Sequence, residues 1–487
     1  MPYNLSEKLQ SIYGNQQKGA PLQASRYHRL HGLFATAFPK HHAQIFVRAP
    51  GRVNLIGEHT DYNGYPVMPM ALDRDIVFAA APGEGTAIEL VNEDPRFERR
   101  SFAAEFPVIP FDQGDWGNYV KAAVQGLLEA GLVSRSKAVG FRAVVGGTIP
   151  ASAGLSSSSA MVVAAALAFL AANKAAFDKK VLADVLGRAE RYVGSEGGGM
   201  DQAVSLLAES GHALRIDFFP LQTEPVPLPE EITFIVCNSL IRASKSEGVR
   251  HAYNRRVIEC RLATALLAKA IGQKMGKMIK ATRLSDLAGE QIGFKPAELR
   301  EIAHQAIGEQ PLTLPTVAQR LELTAEQVQS EHCMQGDGTP LQEPPDGFRI
   351  WNRYNHVVSE AERVGLAVKA LMNGDIAEVG ALMNQSHASC RDDYEVSCPE
   401  LDMLVSLGRE NGALGSRLTG AGFGGCTVHA VPSDQVTEFL RKMDDSYYQG
   451  YVKRERSRPF TPYNNLNDVR FSCYAARGAE FWPADEG

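Results

Sequence analysis

Three side chains that can hydrogen-bond a polyhydroxyl ligand, Glu58, His59 and Asp61, lie within one short segment of the 487-residue chain. Arg52 precedes them, in a predicted turn at residues 49–52 that ends a predicted strand. Carboxylates and an imidazole offer several acceptors and donors close together, which suits a ligand with many hydroxyl groups. The composition of the segment equally fits a polar surface turn with a local ion pair.

A loop rich in Gly and Ser, residues 146–159, leads directly into an apolar stretch at residues 160–172 that we predict to be a buried helix. The first N–H groups of a helix have no intrahelical partner and the helix dipole favours negative charge there, so this arrangement suits a phosphate group. Serine hydroxyl groups add donors and a possible ligand for Mg²⁺. Ordinary N-capping by serine is the alternative, but the four consecutive serines at residues 156–159 exceed what a cap requires.

Asp201 follows three consecutive glycines at residues 197–199 and lies at the start of a predicted helix at residues 200–208. Glycine lets the backbone approach a ligand closely, so Asp201 is a candidate for chemistry. The alternative is that Asp201 is simply the N-cap of a helix at residues 202–208, a position that Asp favours. The residues around Asp201 leave both interpretations open.

A third loop carries Gly420, Gly422 and Gly425, which satisfy the pattern G-x-G-x-x-G. A dinucleotide-binding fold requires a helix after these glycines, whereas here the strand-like segment 426–431 follows. The chain also lacks the H-R-D and D-F-G motifs of protein kinases and the G-x-x-x-x-G-K-S/T motif of P-loop enzymes. The loops together predict a nucleotide-phosphate enzyme outside those three classes.

The elements that must position these loops are predicted from the periodicity of apolar residues. Strands are predicted from Ile45 onward and at residues 67–72, 75–81, 140–145, 232–236 and 426–431. Helices are predicted at residues 160–172, 182–193, 200–208, 253–270, 351–372 and 402–411. We also predict a helical lead-in with a polar linker, a helical insertion and a surface loop, at residues 1–44 (linker 15–21), 280–345 and 447–463.

Length, charge and cysteine content restrict the class of protein. At roughly 150 residues per domain, the chain is expected to form about three domains or two large ones. Lys and Arg number 50 against 56 Asp and Glu, so the net charge of −6 leaves no basic footprint for nucleic acid. Seven scattered cysteines without a C-x-x-C pair indicate reduced thiols. With neither a signal peptide nor a membrane-spanning segment, we expect a cytoplasmic monomer that binds small molecules, not nucleic acid or membrane.

The segments APGRVNLIGEHTDY, IPASAGLSSSSA, GGGMDQ and RLTGAGFGGCTV occur in this order along the chain. They resemble the galactokinase branch of the GHMP kinases, and the resemblance covers residues 30–475. It implies an α+β fold of two GHMP kinase domains, a mixed-sheet N-terminal domain at residues 1–230 and an antiparallel-sheet C-terminal domain at residues 231–487 with the helical insertion at about 280–345. It also implies transfer of the ATP γ-phosphate to the anomeric C1 hydroxyl of a hexose, giving the α-sugar 1-phosphate, with Mg²⁺ as the metal.

The resemblance further implies a sugar site with a catalytic pair. The residues predicted to bind the sugar are Arg52, Glu58, His59, Asp61, Gly199, Asp201 and Tyr253. Gly199 would contact the sugar through its backbone and Tyr253 would close the pocket. Asp201 would be the catalytic acidic residue and Arg52 its catalytic partner. Asp201 would either take the proton of the C1 hydroxyl as a general base, or orient that hydroxyl with Arg52 and stabilise developing charge.

A phosphate and metal site is implied on the same grounds. The residues predicted to bind ATP are Trp116, Gly154, Leu155, Ser156, Ser157, Ser158 and Ser159. Trp116 would lie near the adenine, with a buried structural role as the alternative. Ser158 and Glu190 would hold Mg²⁺. Arg417, just before the third loop, would either brace the backbone or contact a ligand.

The choice of sugar depends on Tyr253. Most of the chain looks closest to the N-acetylgalactosamine kinases and the fungal galactokinases, yet galactokinases carry a tyrosine at this position where N-acetylgalactosamine kinases tend to have Phe. Loss of a partner for a buried polar group costs about 1–3 kcal/mol, so the hydroxyl of Tyr253 favours galactose. A non-catalytic sensor of galactose and ATP is the alternative of another class. Such sensors lose residues of the serine segment, whereas residues 154–160 are complete here.

Overall fold

The structure is a computed structural model that describes residues 5–13, 20–150, 153–194, 198–242, 247–289, 292–335, 338–455 and 460–484. Several predicted features fall partly outside these ranges. They are most of the polar linker at residues 15–21, residues 151–152 of the Gly/Ser loop, residues 195–197 before Asp201, residues 290–291 and 336–337 of the helical insertion, and residues 456–459 of the surface loop.

The described part of the chain contains the strands β1 Ile45–Ile56, β2 Met68–Pro82, β3 Ala87–Asn92, β4 Arg100–Ala103, β5 Phe141–Gly147, β6 His212–Asp217, β7 Gln222–Pro227, β8 Ile232–Asn238, β9 Gly415–Thr419, β10 Cys426–Pro432, β11 Arg470–Cys473 and β12 Glu480–Pro483. Six of them form sheet 1 in the order β12-β1-β2-β5-β3-β4, in which only β3 and β5 run parallel. Four form sheet 2, which is antiparallel with the order β11-β8-β10-β9, and β6 pairs with β7. The predicted combination of a mixed and an antiparallel sheet is confirmed.

The helices are α1 Leu5–Tyr13, α2 Ala20–Ala37, α3 Gly117–Glu129, α4 Ser157–Ala172, α5 Lys179–Ala189, α6 Met200–Leu207, α7 Glu247–Met275, α8 Pro296–Ile307, α9 Leu314–Leu321, α10 Ala325–His332, α11 Ile350–Met372, α12 Ile376–Asp392, α13 Pro399–Glu410, α14 Val436–Met443, α15 Val452–Arg454 and α16 Leu466–Val469. The predicted helical insertion corresponds to α8, α9 and α10. Its apolar side chains, including Leu299, Val317 and Val328, share one core with α7. Within the described residues, no helix combines the length and the apolar character needed to cross a membrane.

Helix α4 is the central support of the first sheet. Its residues from Ser159 to Leu170 are buried without interruption, as the apolar run predicts. The alanines among them leave little side-chain volume between the helix and strands β1 and β2, so the helix packs closely against the sheet. The N-terminus of α4 is therefore held in a fixed position beside β1.

The predicted turn at residues 49–52 is wrong, because β1 continues through it. The pairing register of β1 with β2 shifts between Pro50 and Arg52, which marks a β-bulge. A Cβ atom at Gly51 would lie 2.7 Å from the carbonyl oxygen of Leu155, so only glycine lets β1 approach the segment before α4 this closely. Pairing along a buried strand has overridden the turn preference of Pro and Gly.

The predicted surface loop at residues 447–463 is also wrong as far as residue 454, where the structure is helical. Asp444–Tyr451 forms a π-helix that continues into α15. The rings of Tyr447 and Tyr448 are buried against the strand β8, and their hydroxyl groups donate to the carbonyl oxygens of Ser239 and Asn238. Tyrosine has a large apolar body with one polar atom, so a segment that reads as polar packs into the core once that atom finds a partner.

The last strand of the chain returns to the first sheet. β12 pairs antiparallel with the start of β1, from Ile45 opposite Pro483 to Arg48 opposite Glu480. The predicted domain limits of 1–230 and 231–487 stay a prediction. Residues 231–487 are called here the second segment, and β12 is a strand of this segment that belongs to sheet 1. All seven cysteines carry free thiols.

Candidate active site

The first polar loop, residues 57–62 and called here the acidic loop, follows directly on β1. Gly57 (φ +95°) and His59 (φ +62°) both adopt the left-handed conformation, which is uncommon for a side chain such as histidine. The hydroxyl of Thr60 donates to the carbonyl oxygens of Gly57 (3.0 Å) and Pro66 (2.8 Å). The loop is thus folded back on itself and fixed, which directs its polar side chains inward.

The serine loop, residues 153–159, packs against β1, where the backbone N–H of Arg52 donates to the carbonyl oxygen of Leu155 at 3.2 Å. Ser156 is the N-cap of α4 but has a left-handed backbone (φ +57°) and makes no side-chain hydrogen bond to the first turn within the described chain. The alternative of ordinary serine capping is therefore wrong for Ser156. The glycine loop, residues 420–425, packs on the other side, since a Cβ atom at Gly420 would lie 2.6 Å from the carbonyl oxygen of Gly154.

Asp201 joins these segments. Its carboxylate accepts from Nε of Arg52 at 2.7 Å and from the hydroxyl of Ser156 at 2.5 Å, while Nη1 of Arg52 donates to the carbonyl oxygen of Gly154 at 2.6 Å. Helix α6 begins one residue earlier, and its N-cap is Gly199 in the left-handed conformation (φ +98°). The alternative that Asp201 is the N-cap is therefore wrong, and the predicted pair of Asp201 and Arg52 is in direct contact.

Asp61 is held by the backbone that precedes Asp201. The N–H of Gly198 donates to Oδ2 of Asp61 at 3.1 Å, and a Cβ atom at Gly198 would lie 2.5 Å from Cγ of Asp61, which no larger residue could accommodate. Burial and the nearby charge of Asp201 raise the pKa of Asp61 to about 6. The carboxyl groups of Asp61 and Asp201 thus lie near each other beside the serine loop.

Glu58 faces the second segment of the chain. Its carboxylate pairs with the guanidinium of Arg417 at 3.0 Å, and both side chains are almost completely buried. Burial raises the pKa of Glu58 to about 6, although the charge of Arg417 opposes the shift. Arg417 also donates to the carbonyl oxygen of Asn54 at 3.1 Å, so of the two predicted roles the structure gives it that of a backbone brace. A sugar contact for Glu58 stays a prediction.

His59 lies in an aromatic cluster. Its ring stacks on Tyr394 with centroids 4.8 Å apart, its Nδ1 lies 3.1 Å from the hydroxyl of Tyr62, and the ring of Tyr253 is 5.8 Å away. Burial, reinforced by the neighbouring His356, lowers the pKa of His59 to about 3. The imidazole is therefore neutral at physiological pH and can both donate and accept a hydrogen bond.

The predicted metal ligands, Ser158 and Glu190, lie where the serine loop leads into α4. The hydroxyl of Ser159 donates to Oε1 of Glu190, and it also lies 3.4 Å from Oδ2 of Asp201. The carboxylate and hydroxyl oxygens here are the hard donors that Mg²⁺ prefers, and Mg²⁺ bound to nucleotides usually takes only one or two protein ligands. The donor set fits the metal. The hydroxyl in contact with Glu190 belongs to Ser159, and Ser158, in the first turn of α4, stays the predicted ligand.

Trp116 lies at the start of α3 in the core of the first sheet and is 9% exposed. Its indole N–H donates to the carbonyl oxygen of Glu98 at 3.1 Å, and its ring meets Phe97 edge-on with centroids 6.4 Å apart. Burial and a satisfied N–H describe a structural aromatic residue. The predicted contact with adenine stays untested, and the more exposed ring in this pair is that of Phe97.

No role was predicted from the sequence for several residues that hold the acidic loop from the second segment. His356, Glu360 and Tyr394 contact the loop, Ser386 bonds Glu360, and Thr419 bonds Asn54 of β1 just before the loop. His356 and Glu360 lie four residues apart and share one face of α11, so both point to the same side of the helix. The signal available in the sequence was a pair of polar residues four positions apart in a predicted helix, which does not by itself indicate a partner.

Comparison with known proteins gives three family profiles in chain order. Residues 32–82 match the galactokinase galactose-binding signature, residues 118–209 the GHMP kinases N terminal domain, and residues 367–449 the GHMP kinases C terminal region. The galactokinase of Dictyostelium discoideum is 36% identical over 479 residues, which cover 93% of each chain. This chain belongs to the galactokinase family. The predicted family is confirmed, and with it the two-domain GHMP kinase fold.

Two further galactokinases support the assignment. The galactokinase of Saccharomyces cerevisiae is 35% identical over 432 residues, which cover 79% of this chain and 82% of the yeast protein. The crystal structure of Lactococcus lactis galactokinase complexed with galactose superposes with a TM-score of 0.73 at 26% identity, covering 94% of this chain and 99% of the bacterial one. The likeness therefore extends over nearly the whole of both chains.

Proposed function

We propose that this galactokinase-family chain transfers the γ-phosphate of ATP to the C1 hydroxyl of D-galactose, giving α-D-galactose 1-phosphate and ADP. The observation that supports the proposal most strongly is the position of Asp201. Its carboxylate is bonded to Arg52 of β1 and to Ser156 of the serine loop, and it lies beside Asp61. A carboxylate placed between a polyol-binding loop and a phosphate-binding loop can act on a hydroxyl group that is about to be phosphorylated.

The residues of the chain divide the work between two ligands. The neutral imidazole of His59 and the carboxylate of Asp61 present acceptors and a donor to the sugar hydroxyls. The first turn of α4, with Ser157 and Ser158, presents N–H and hydroxyl groups to the phosphates. ATP supplies the phosphoryl group, and Mg²⁺, for which Ser158 and Glu190 are the proposed ligands, neutralises phosphate charge.

Asp201 and Arg52 act on the hydroxyl that is phosphorylated. With one carboxylate oxygen fixed by Arg52 and the other by Ser156, Asp201 holds a set direction toward the C1 hydroxyl. It either accepts the proton of that hydroxyl, or orients the hydroxyl while the guanidinium of Arg52 stabilises the charge that develops. Both roles require the same geometry, and they differ in whether the proton is transferred to Asp201.

The alternative named from the sequence, N-acetylgalactosamine 1-kinase, is not favoured, because the matched relatives are galactokinases. Tyr253 is half-buried with its ring 5.8 Å from His59 and 6.2 Å from Tyr62, so it belongs to the wall of the proposed sugar site. A tyrosine hydroxyl there can bond a sugar hydroxyl, whereas a 2-acetamido group needs room and tolerates an apolar wall. Tyr253 therefore supports galactose.

The deciding experiment measures ADP release with galactose, N-acetylgalactosamine and glucose at equal concentration. We expect galactose to give the highest kcat/KM, and Tyr253→Phe to reduce the preference for galactose. An advantage of N-acetylgalactosamine of about tenfold or more, equivalent to about 1.4 kcal/mol in the transition state, would contradict the choice of galactose. Absence of ADP release with every sugar, with sugar and ATP still bound, would identify a sensor instead.

Two further properties belong to the proposal, the compartment of the enzyme and its oligomeric state. We propose that it works in the cytoplasm, which seven free thiols support because a reducing compartment keeps them unpaired.

We also propose a monomer that binds only its sugar and nucleotide. Sedimentation velocity at micromolar concentration tests the monomer, and a dimer peak would contradict it.

A further inference from the structure

Glu360 of α11 is completely buried and points at the acidic loop. Its Oε1 accepts from the backbone N–H of Gly57 at 2.8 Å and from that of Glu58 at 3.2 Å. The hydroxyl of Ser386, on α12, donates to the same oxygen at 2.5 Å. One carboxylate oxygen from the second segment of the chain thus holds two consecutive peptide groups that directly precede His59.

The charge of this carboxylate is secured by two arginines. Nε of Arg363 donates to Oε2 at 2.7 Å, whereas the acidic loop is held by the other oxygen, Oε1. Burial by itself would raise the pKa of Glu360, but the charges of Arg363 and Arg417 outweigh it and lower the pKa to about 2. Glu360 is therefore ionised and acts only as an acceptor, and hydrogen bonds to an ionised acceptor are stronger than neutral ones.

The peptide groups that Glu360 holds carry an unusual backbone. His59 is left-handed (φ +62°), a conformation that costs a non-glycine residue free energy and persists only where the surroundings enforce it. His356, one turn before Glu360 on the same face of α11, lies with Nε2 3.0 Å from the carbonyl oxygen of Glu58. The two side chains of α11 therefore bond N–H and C=O groups of the residues just before His59.

We propose that Glu360 is a positioning residue of the sugar site, whose carboxylate fixes the backbone of Gly57 and Glu58 and thereby aims His59 and Asp61 at the hexose. Glu360 itself does not reach the sugar, because its two oxygens are occupied by the loop backbone, Ser386 and Arg363. The proposal rests on the proposed function, since it takes residues 58–61 as the sugar contacts. A purely structural ion pair with Arg363 would depend only on the charge of Glu360. The proposed positioning role also depends on the length of the side chain, which must bring Oε1 to the backbone of the loop.

The test compares two substitutions at one position. Glu360→Asp keeps the charge next to Arg363 but withdraws the oxygen from the backbone N–H groups, whereas Glu360→Gln keeps an acceptor oxygen within reach and removes the charge. The matched control is Glu362→Asp, the same change at an exposed position of the same helix. For each protein, KM for galactose, KM for ATP and amide hydrogen exchange of the peptide spanning residues 54–62 are measured.

We expect Glu360→Asp to raise KM for galactose about tenfold and to leave KM for ATP within about twofold, because only the acidic loop loses its anchor. Amide exchange in residues 54–62 should accelerate about tenfold in the same variant. Glu360→Gln should raise KM for galactose less than Glu360→Asp does, because its amide oxygen still accepts from the loop, although more weakly than the ionised carboxylate. The control Glu362→Asp should match the parent in all three measurements.

Three results would overturn the proposal. They are equal increases of both KM values in Glu360→Asp, a larger effect of Glu360→Gln than of Glu360→Asp on KM for galactose, or unchanged amide exchange in residues 54–62. If Glu360→Asp does not fold, Ser386→Ala replaces it, since it frees the same oxygen without moving a buried charge. We expect it to raise KM for galactose about threefold with faster exchange, and no change in either would contradict the proposal. A parent enzyme without galactose turnover would refute the proposed function, while the exchange measurement would still decide the role of Glu360.

Discussion

The hydroxyl of Ser156 lies 2.5 Å from Oδ2 of Asp201, and the other oxygen of that carboxylate accepts from Arg52. Ser156 stands first in the run of serines that leads into α4, yet its side chain is turned away from the first turn of the helix. Its left-handed backbone is what turns it. The loop expected to bind phosphate therefore also fixes the direction of the proposed catalytic carboxylate.

Replacement of Asp201 by Asn should abolish most of the turnover. Asn keeps the size of the side chain but cannot take a proton and does not pair with Arg52 as a charge. We expect kcat to fall by about 10²–10⁴-fold, with ATP binding by calorimetry within about twofold of the parent. Asp184→Asn, at an exposed ion pair on α5, is the control and should be fully active. Turnover near the parent level in Asp201→Asn would contradict the catalytic role.

Ser156→Ala separates two roles of that hydroxyl. If it positions Asp201, kcat should fall about tenfold with KM for ATP nearly unchanged. If instead it contacts phosphate, KM for ATP should rise while kcat is retained, and the geometry favours the first outcome. Alanine retains the Cβ atom of serine, so the left-handed backbone is equally strained in both proteins. A change in the kinetics of Ser156→Ala therefore reports the loss of the hydroxyl and not a change in backbone strain.

The double replacement Ser157→Ala and Ser158→Ala should weaken the binding of MgATP and leave that of galactose unchanged. Both side chains lie in the first turn of α4 and are half-buried, where the loss of hydroxyl donors removes contacts to phosphate or metal. We expect KM for MgATP to rise several-fold and KM for galactose to stay the same. Equal damage to both values would show that the change is a general disturbance of the fold.

The acidic loop predicts a pH dependence. The pKa values of Asp61 and Glu58 are raised to about 6, whereas that of His59 is lowered to about 3. As the pH falls through 6, the two carboxyl groups take up protons and lose acceptor strength, while the imidazole remains neutral. The value of kcat/KM for galactose should therefore decline below about pH 6. Asp61→Asn should remove one ionisation from the profile, and a profile that is flat down to about pH 5 would contradict these shifts.

Arg417→Met tests the buried pair with Glu58. Removing one partner leaves a buried charge without compensation, which costs about 3–5 kcal/mol of stability. Thermal unfolding should shift down by several degrees, and Glu58→Gln in the same protein should restore part of the loss. The control is Arg441→Met at an exposed ion pair, where the expected effect is below about 1 kcal/mol. Equal shifts for the two arginines would contradict a special role for Arg417.

Two segments that the sequence singles out, the glycine run and the acidic loop, lie in contact in the structure, because the N–H of Gly198 donates to the carboxylate of Asp61. The buried helix α4 was likewise predictable, since its apolar run has no competing pattern. In both cases the local preference and the tertiary structure agree.

Other features depend on partners far away in the chain. Glu360 meets Gly57 across 303 positions of sequence, and no local pattern around either residue indicates the other. The bulge at Gly51 reads as a turn because pairing with β2 is invisible to a local pattern. Tyr447 reads as polar surface until Ser239 supplies a partner for its hydroxyl. Tertiary contacts decided each of these positions against the local signal.

The pairing of β12 with β1 has a consequence for biosynthesis. Residues 45–48 of β1 are synthesised long before their partner strand Glu480–Pro483, so this part of the strand edge stays unpaired while the chain between the two strands is made. An unpaired strand edge is a template for association with other chains. The nascent protein must therefore keep that edge covered, by a chaperone or by its own helices, throughout the synthesis of the second segment.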